Sequence, residues 1–151
     1  MQLKIMYKLN LPKYNFKLSK KKEKVYIYDV IRKKDIFLTP EEWVRQNYIQ
    51  FLIKEQNFPI SLIAVEKEIK LNNLKKRFDI LIFNNRGEHD IIVECKAPKI
   101  KISQATFDQI ARYNLELKAN FLIVTNGLEH YYCKMDFENK KYIFLKECPE
   151  F

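Results

Sequence analysis

Two apolar runs joined by a short polar connection constrain this chain more than any other feature of its sequence. The runs are RFDILIF at 77–83 and DIIVECKA at 90–97, and the connection NNRGEH contains Gly87. Runs of this composition on either side of turn residues predict a β-hairpin. The second run includes the charged residues Glu94 and Lys96, and a buried charge is costly unless it is paired or bound. The hairpin therefore needs a partner or a ligand for these charges.

The alternation of side chains along a strand separates the charges of this run from its apolar residues. Successive residues point to opposite faces of a sheet, so Glu94 and Lys96 share one face. Val93, Cys95 and Ala97 point to the other face, where they can pack. The charged pair is thus predicted to lie on a single, more polar side of the hairpin.

A third polar residue joins the pair if the connection is a tight turn. With Arg86 and Gly87 as the two central residues of the turn, paired positions sum to 173, and Asp79 lies opposite Glu94. Cross-strand partners point to the same face. A turn longer by one residue would direct Asp79 to the other face, so the convergence depends on the turn.

Two interpretations fit these three residues. Two facing carboxylates repel each other, and a hard cation such as Mg²⁺ binds through one or two carboxylates with water. Lys96 could then hold or deprotonate an attacking water and stabilise charge in the transition state. In the alternative, Lys96 pairs with Asp79 or Glu94 and the cluster has no ligand. Residue types alone leave both open.

The pattern along the rest of the chain predicts the order helix, three strands, helix, strand. The first helix begins after Thr39, with Glu42 as the second member of a capping box, and ends near Gln56. The second helix runs over 104–118 with Ser103 as its cap. The three middle strands cover 62–71, 77–83 and 90–97, the next covers 120–126, and a closing hairpin surrounds DFENK.

These elements predict an α/β fold with a mixed central sheet flanked by helices. A β-rich N-terminal extension over 1–38 precedes a domain at 39–151, and both form one globular unit. Within the extension we expect a strand at YNFKL and a turn at Ser19–Lys24. The run KLSKKKEK is interpreted as a solvated turn, with contact to phosphate as the alternative.

The composition of the chain limits its expected cellular location and binding partners. The chain has 151 residues and a formal charge of +9, which favours an anionic partner, nucleic acid first. The opening residues are interrupted by lysines and no run reaches membrane-spanning length, so a cytoplasmic protein without membrane contact is expected. The three cysteines lack paired spacing and are expected to be reduced and packed. Trp43 is also predicted to pack.

The order of these residues and elements resembles the PD-(D/E)XK nuclease superfamily, which implies a restriction-endonuclease-like αβββαβ core. More narrowly, TPEEWVRQ, RFDILIF, VECKAP and FDQIARYN with VTNG resemble the N-terminal nuclease domain of the restriction subunit of type I restriction enzymes. The similarity covers about residues 39–133. Phe78 replaces the proline of the superfamily's name, and no phosphate-binding loop of a helicase motor is present in the sequence.

The resemblance implies a magnesium-dependent catalytic site, with Mn²⁺ able to replace Mg²⁺. Asp79 and Glu94 would be the metal ligands, and the backbone carbonyl of Cys95 would complete the coordination. Lys96 would serve the attacking water.

Further residues are placed near this site by the same resemblance. Gln109 matches the glutamine motif of restriction-type members, and Tyr113 follows one turn later as a predicted contact to nucleic acid. Glu41 is preferred as the glutamate offered by the first helix, because it lies at helical spacing from the apolar face. Arg45 and Arg77 are further predicted contacts to nucleic acid. Other acidic residues, Glu66 and Glu68, are interpreted as one edge of a half-solvated strand, with metal contact as a minor alternative.

The resemblance implies a stand-alone Mg²⁺-dependent DNA endonuclease of restriction or DNA-processing type. The alternative is a non-catalytic module for nucleic-acid binding or complex assembly that keeps the nuclease fold. The expected partner is DNA, together with a second copy of the chain or a motor or specificity subunit.

Overall fold

The structure is a computed structural model that describes residues 6–151. The first five positions of the predicted N-terminal extension lie outside the described residues. In chain order the elements are β1 (Leu18–Lys21), β2 (Lys24–Asp29), β3 (Lys34–Phe37), α1 (Pro40–Lys54), β4 (Ile63–Leu71), β5 (Leu74–Phe83), β6 (His89–Cys95), α2 (Gln104–Leu117), β7 (Phe121–Thr125), β8 (His130–Asp136) and β9 (Lys141–Leu145), with a short 3₁₀ turn at Ile60–Leu62 before β4.

The strands form two sheets. The small sheet has the order β1-β2-β3 and is antiparallel. The large sheet has the order β4-β5-β6-β7-β8-β9, and its β6–β7 pair is parallel while the other pairs are antiparallel. The helices cover opposite faces of the large sheet, because buried residues of α1 and of α2 belong to separate core clusters. The predicted element order and the mixed α/β class are confirmed.

Helix α1 begins as its sequence predicts. The Thr39 hydroxyl accepts a hydrogen bond from the Glu42 backbone N–H at 3.1 Å, and Pro40 occupies the first turn. The other half of the predicted capping box is wrong. The Glu42 carboxylate accepts hydrogen bonds from Arg32 and Gln46, both at 2.9 Å, because two cationic or amide donors stabilise a buried carboxylate better than one backbone amide.

The β5–β6 hairpin has the predicted alignment along its stem. Ile82 pairs with Ile91, and the positions sum to 173 through the next two pairs as well. Nearer the tip, however, Phe83 pairs with His89, which is one residue out of step. Asp90 is therefore an extra residue in β6, a β-bulge that restores the alignment.

The predicted two-residue turn at Arg86 and Gly87 is wrong. The Gly87 N–H donates to the Asn84 carbonyl at 3.0 Å, so Asn85 and Arg86 are the central residues of the turn. Gly87 follows with φ +75°, a conformation that glycine adopts at little cost. The tip alone would place Asp79 opposite Val93, and the bulge corrects this.

The first hairpin is displaced from its predicted position. The strand expected at YNFKL is found at Leu18–Lys21, and the turn expected at Ser19–Lys24 is confined to Lys22 and Glu23. These two residues have φ +48° and +66°. Such tight turns usually carry asparagine or glycine, so Lys-Glu gave no turn signal in the sequence.

The small sheet packs against α1 through its apolar face. Val25, Ile27 and Leu38 surround Trp43 in a shared core cluster, and the Trp43 indole donates to the Tyr7 carbonyl at 2.9 Å. The prediction that Trp43 packs is confirmed. The three cysteines are free, with two buried and one half-buried, as expected. Within residues 6–151, no helix is long and apolar enough to cross a membrane.

Candidate functional site

Asp79 and Glu94 occupy facing positions of the β5–β6 hairpin, one step beyond the last regular pair, Ile80 with Val93. The Asp79 carboxylate accepts a hydrogen bond from the Cys95 backbone N–H at 2.8 Å, which fixes it against β6. Both side chains are largely buried, with exposed fractions of 13% for Asp79 and 12% for Glu94. The hairpin thus brings the two carboxylates together.

Lys96 lies beside the carboxylates at the open end of β6. Its ammonium is 3.5 Å from a Glu94 carboxylate oxygen, and its side chain is 35% exposed. The Lys96 backbone N–H donates to the Thr125 carbonyl at 2.8 Å, which anchors this end of β6 to β7. The ammonium is therefore positioned by the sheet and still accessible to solvent.

Burial raises the pKa values of both carboxyl groups of the pair. For Glu94, burial has the largest effect and the charge of Asp79 adds to it, so its pKa rises to about 7 although Lys76 and Lys96 oppose the shift. Burial also raises the pKa of Asp79, against the lowering effects of the Cys95 N–H and Arg45. Glu94 therefore has the more strongly raised pKa of the two carboxyl groups.

Arg45 lies inside a group of four carboxylates that we call the Arg45 cluster: Glu41, Glu42, Glu66 and Asp79. The guanidinium is 2.6 Å from Glu66, 3.3 Å from Asp79 and 3.4 Å from Glu42. The Arg45 side chain is only 7% exposed. In this placement Arg45 balances the charge of the carboxylates, and its contact with nucleic acid stays a prediction.

Glu66 is a member of the site that sequence reasoning underestimated. It lies in β4 opposite Asp79, at a position where the regular pairing of β4 with β5 is interrupted. Its φ is +56°, a conformation that is strained for a residue with a side chain. In this conformation the Glu66 carboxylate forms its ion pair with Arg45. The alternating pattern of β4 gave no sign of the interruption.

A chain of ion pairs connects the small sheet to the site. Asp29 at the end of β2 binds the Arg32 guanidinium at 2.6 Å, and Arg32 binds Glu42 at 2.9 Å. Glu42 contacts Arg45, which contacts Asp79. The contacts join three elements distant in sequence, and no motif in the chain indicates them.

The remaining predicted residues lie at different distances from the site. Glu41 reaches its rim: the side chain is 47% exposed, 3.9 Å from Arg45, and burial and the charge of Asp79 raise its pKa. Arg77 is 61% exposed and pairs with Glu66 and Glu68. Gln109 is exposed on α2. Tyr113 is half-buried, and its ring centroid lies 5.2 Å from the Lys76 ammonium, whose charge also acts to lower the pKa of Glu94.

The donor set is compatible with a magnesium ion held mainly by water. Among the described residues, no group of three or more His, Cys, Asp and Glu side chains is arranged to hold a metal. Asp79 and Glu94 nevertheless supply two hard oxygen donors at facing, largely buried positions of the hairpin. Mg²⁺ commonly binds through one or two carboxylates and keeps several waters. The residues therefore fit Mg²⁺ as a two-carboxylate site.

Fold and site together define a mixed α/β protein with two facing carboxylates and a lysine at the end of a central strand. The chain belongs to the family described as type I restriction enzyme R protein N terminus, whose family model matches residues 40–149.

A solved structure supports the fold. It is a fragment described as an HsdR subunit of a type I restriction enzyme from Vibrio vulnificus YJ016, with 20% sequence identity and a TM-score of 0.52. The similarity covers 75% of this chain and 24% of that one, so the chain spans about a quarter of the length of that relative. No curated protein matches the sequence.

Proposed function

We propose that this chain is a Mg²⁺-dependent DNA endonuclease domain with a restriction-endonuclease-like core. The observation that carries the proposal is the convergence of Asp79, Glu94 and Lys96 at one end of β6. Membership of the restriction-subunit family supports DNA as the substrate. The reaction would be hydrolysis of a phosphodiester bond by water.

The three residues have two roles in this proposal. Asp79 and Glu94 would hold the metal, with the Cys95 carbonyl as a further oxygen donor. When bound, Mg²⁺ or Mn²⁺ supplies positive charge to phosphate oxygens and lowers the pKa of a nearby water. Lys96 would orient the attacking water and stabilise charge on the phosphate in the transition state. The hydrogen bond from the Cys95 N–H supports this role for Asp79, because it restricts the orientation of the carboxylate.

Gln109 and Tyr113 of α2 would border the substrate. Tyr113 lies beneath Lys76, and Gln109 is exposed one turn earlier. Arg77, 61% exposed beside Glu66, would contact a phosphate of the DNA backbone. Glu41 would be a further carboxylate at the rim of the catalytic site.

Cleavage assays test the proposal directly. Purified protein is incubated with linear, supercoiled, branched and single-stranded DNA in Mg²⁺ or Mn²⁺, and the products are separated on gels. We expect Asp79→Asn, Glu94→Gln and Lys96→Ala each to reduce the rate by about 100-fold or more. Glu88→Gln is the matched control, because Glu88 is an exposed carboxylate at the hairpin tip, at the other end of β5 and β6 from Asp79 and Glu94. Absence of cleavage by the wild-type protein on all substrates would overturn activity of the isolated chain.

A second candidate is a nucleic-acid-binding or assembly module without turnover. The observation that favours it is Arg45, which already pairs with Asp79 and Glu66 and so reduces the need for a metal. Calorimetric titration with Mn²⁺ separates the candidates. Heat of binding that disappears in Asp79→Asn supports the nuclease, whereas DNA binding with no response to metal supports the module.

We also propose that the chain works with further protein. Two-strand cleavage requires either two copies or two successive nicks. A motor or specificity subunit would select the target in an assembly of the restriction type. Light scattering with and without DNA tests self-association, and a monomer that cuts both strands would contradict the need for a second copy.

A further inference from the structure

The small sheet presents a face of aromatic rings on the side away from α1. Its apolar residues point toward Trp43, so alternation places Tyr26, Tyr28 and Phe37 on the opposite face. Tyr26 and Phe37 are cross-strand neighbours, and their ring centroids are 5.9 Å apart in an edge-on arrangement. Phe37 is 48% exposed. We call these three residues with the lysines described next the aromatic–lysine face.

A lysine ammonium lies over each ring of this face. The pairs and their distances to the ring centroids are Lys17 over Tyr28 at 5.6 Å, Lys21 over Tyr26 at 5.7 Å and Lys24 over Phe37 at 5.7 Å. One carboxylate, Asp35, is also on this side and lies 3.8 Å from Lys21. Cations and planar apolar surface are therefore interleaved across the same few ångströms.

The segment that contains the small sheet has a large excess of positive charge. Residues 13–38 contain nine lysine or arginine side chains and three carboxylates, a formal charge of +6 out of +9 for the chain. The family model begins at residue 40, so this region lies outside the matched segment. Its charge favours an anionic partner that also offers flat apolar surfaces.

We propose that the aromatic–lysine face binds single-stranded DNA. Bases would stack on the rings of Tyr26, Tyr28 and Phe37, and the lysine ammonium groups would contact phosphates, as in sequence-tolerant binding of single strands. A duplex keeps its bases stacked inside the helix and cannot offer their faces in this way. The choice of DNA over RNA rests on the proposed function, whereas the binding of a single strand rests on the face itself.

Binding measurements with matched charge variants test the role of the lysines. Anisotropy of a labelled 20-nucleotide oligothymidylate is measured in EDTA, where metal-dependent cleavage cannot occur. Lys21→Gln/Lys24→Gln removes two ammonium groups from the face. Lys20→Gln/Lys34→Gln removes the same charge from exposed residues at register positions of the other face.

The two charge variants have different expected outcomes. The face variant weakens binding about tenfold or more and reduces the slope of log K against log salt by about 1.4, or roughly 0.7 per lost phosphate contact. The control variant weakens binding less than about threefold. Equal losses in the two variants would overturn the proposal, because they would show attraction by net charge alone.

Aromatic variants test stacking separately. Tyr26→Thr/Phe37→Thr keeps residues that favour strands and removes two rings. We expect at least a fivefold loss of affinity for the oligonucleotide. Trp43 emission monitors packing of the sheet, because Trp43 lies beneath it. Unchanged affinity in a variant with native Trp43 emission would overturn the proposal.

Two further arms define the ligand. A loss of duplex affinity in Lys21→Gln/Lys24→Gln as large as its loss of oligothymidylate affinity, or tighter binding of oligouridylate than of oligothymidylate, would overturn the assignment to single-stranded DNA. Duplex cleavage, which Asp79→Asn is expected to abolish, is measured separately from oligonucleotide binding. Failure of the oligonucleotide-binding proposal, with normal cleavage of duplex by the wild-type protein, is therefore distinguished from failure of the proposed nuclease activity.

Discussion

Arg45 is the residue on which the charge balance of the site depends. Its guanidinium contacts Glu42, Glu66 and Asp79 and has an exposed fraction of 7%. These carboxylates also raise the pKa of Arg45, and their combined effect exceeds the opposing effect of its burial. Removal of one member of a buried ionic group leaves the others uncompensated, which costs more than the group itself contributes.

We expect Arg45→Met to lower the free energy of unfolding by roughly 3–5 kcal/mol. Arg77→Met is the matched control, because Arg77 also pairs with Glu66 but is 61% exposed, and its loss should cost less than about 1 kcal/mol. Urea unfolding of both variants provides the measurement. Similar costs for the two variants would mean that the Arg45 cluster is hydrated in solution.

Asp29 gives the protein a predictable response to acid. Burial alone would raise its pKa, but hydrogen bonds from the Arg32 backbone, the Arg32 side chain and Gln46 outweigh it, so the pKa lies below its usual 3.8. A carboxyl group with a lowered pKa in the folded state stabilises the protein above its unfolded pKa. That contribution disappears as the pH falls through the folded-state pKa.

We therefore expect Asp29→Asn to cost about 2 kcal/mol at pH 7, since hydrogen bonds to a charged group are lost. The difference from wild type should narrow below about pH 4. Urea unfolding at a series of pH values measures both quantities. A cost that stays constant down to pH 3 would contradict a charge-dependent role for Asp29.

At the scale of elements, sequence patterns predicted the large sheet better than the small one. Strict alternation and apolar runs identify β5, β6 and β7, and capping residues identify the start of α1. The β1–β2 turn was missed because Lys22 and Glu23 adopt positive φ without glycine or asparagine. The convergence of Asp79 and Glu94 was predicted from a turn that does not form, and a bulge at Asp90 produces it.

The candidate site was only partly visible in the sequence for a related reason. Asp79, Glu94 and Lys96 lie on one hairpin, so local periodicity relates them. Arg45 and Glu66 reach the same place from α1 and β4. Local sequence patterns do not show which separate elements pack together, so these two residues could not be assigned to the site. Arg32 and Glu42 show the same limitation, because their contact joins a loop after β2 to a helix.

The loop after β7 is the element that holds the N-terminal segment in place. The Gly127 carbonyl accepts a hydrogen bond from Asn10 at 2.8 Å. Gly127 has φ +86°, and a Cβ added there would lie 2.6 Å from Leu9 and 3.2 Å from Val44. Gly87, with φ +75° and nothing within 4 Å of an added Cβ, has a similar backbone without the crowding.

We expect Gly127→Ala to lower the free energy of unfolding by about 1–3 kcal/mol and Gly87→Ala by about 1 kcal/mol. The larger loss at Gly127 reflects the displacement of Leu9 from α1. Chemical denaturation measures both, and a shift in Trp43 emission for Gly127→Ala alone would locate the change. An equal cost for the two variants would mean that the positive φ explains both losses and that crowding against Leu9 contributes nothing.

For the whole molecule, the small sheet and the large sheet share α1 as a common wall. Trp43 and Leu38 pack on one side of this helix, while Tyr48 and Leu52 pack with the large sheet on another. Glu42 and Gln46 add polar contacts to the small sheet. Because both sheets pack on the same helix, we expect them to unfold together.

We expect a single cooperative unfolding transition for the full chain. Trp43 emission reports the small sheet, and far-ultraviolet circular dichroism reports mainly the large sheet and the helices. The two urea midpoints should coincide within error, as for a two-state domain. A lower midpoint by fluorescence would indicate that residues before α1 unfold first.

The bulge at Asp90 separates the length of the hairpin tip from the alignment of the site. Deletion of Asp90 would leave Ile82 opposite Ile91 and Asp79 opposite Glu94, since only the unpaired residue is lost. Insertions and deletions at this tip can therefore accumulate over evolution while the carboxylates stay together. Alignments of related chains should be anchored on the paired stems of β5 and β6, because alignment by tip length would assign the second carboxylate to the wrong residue.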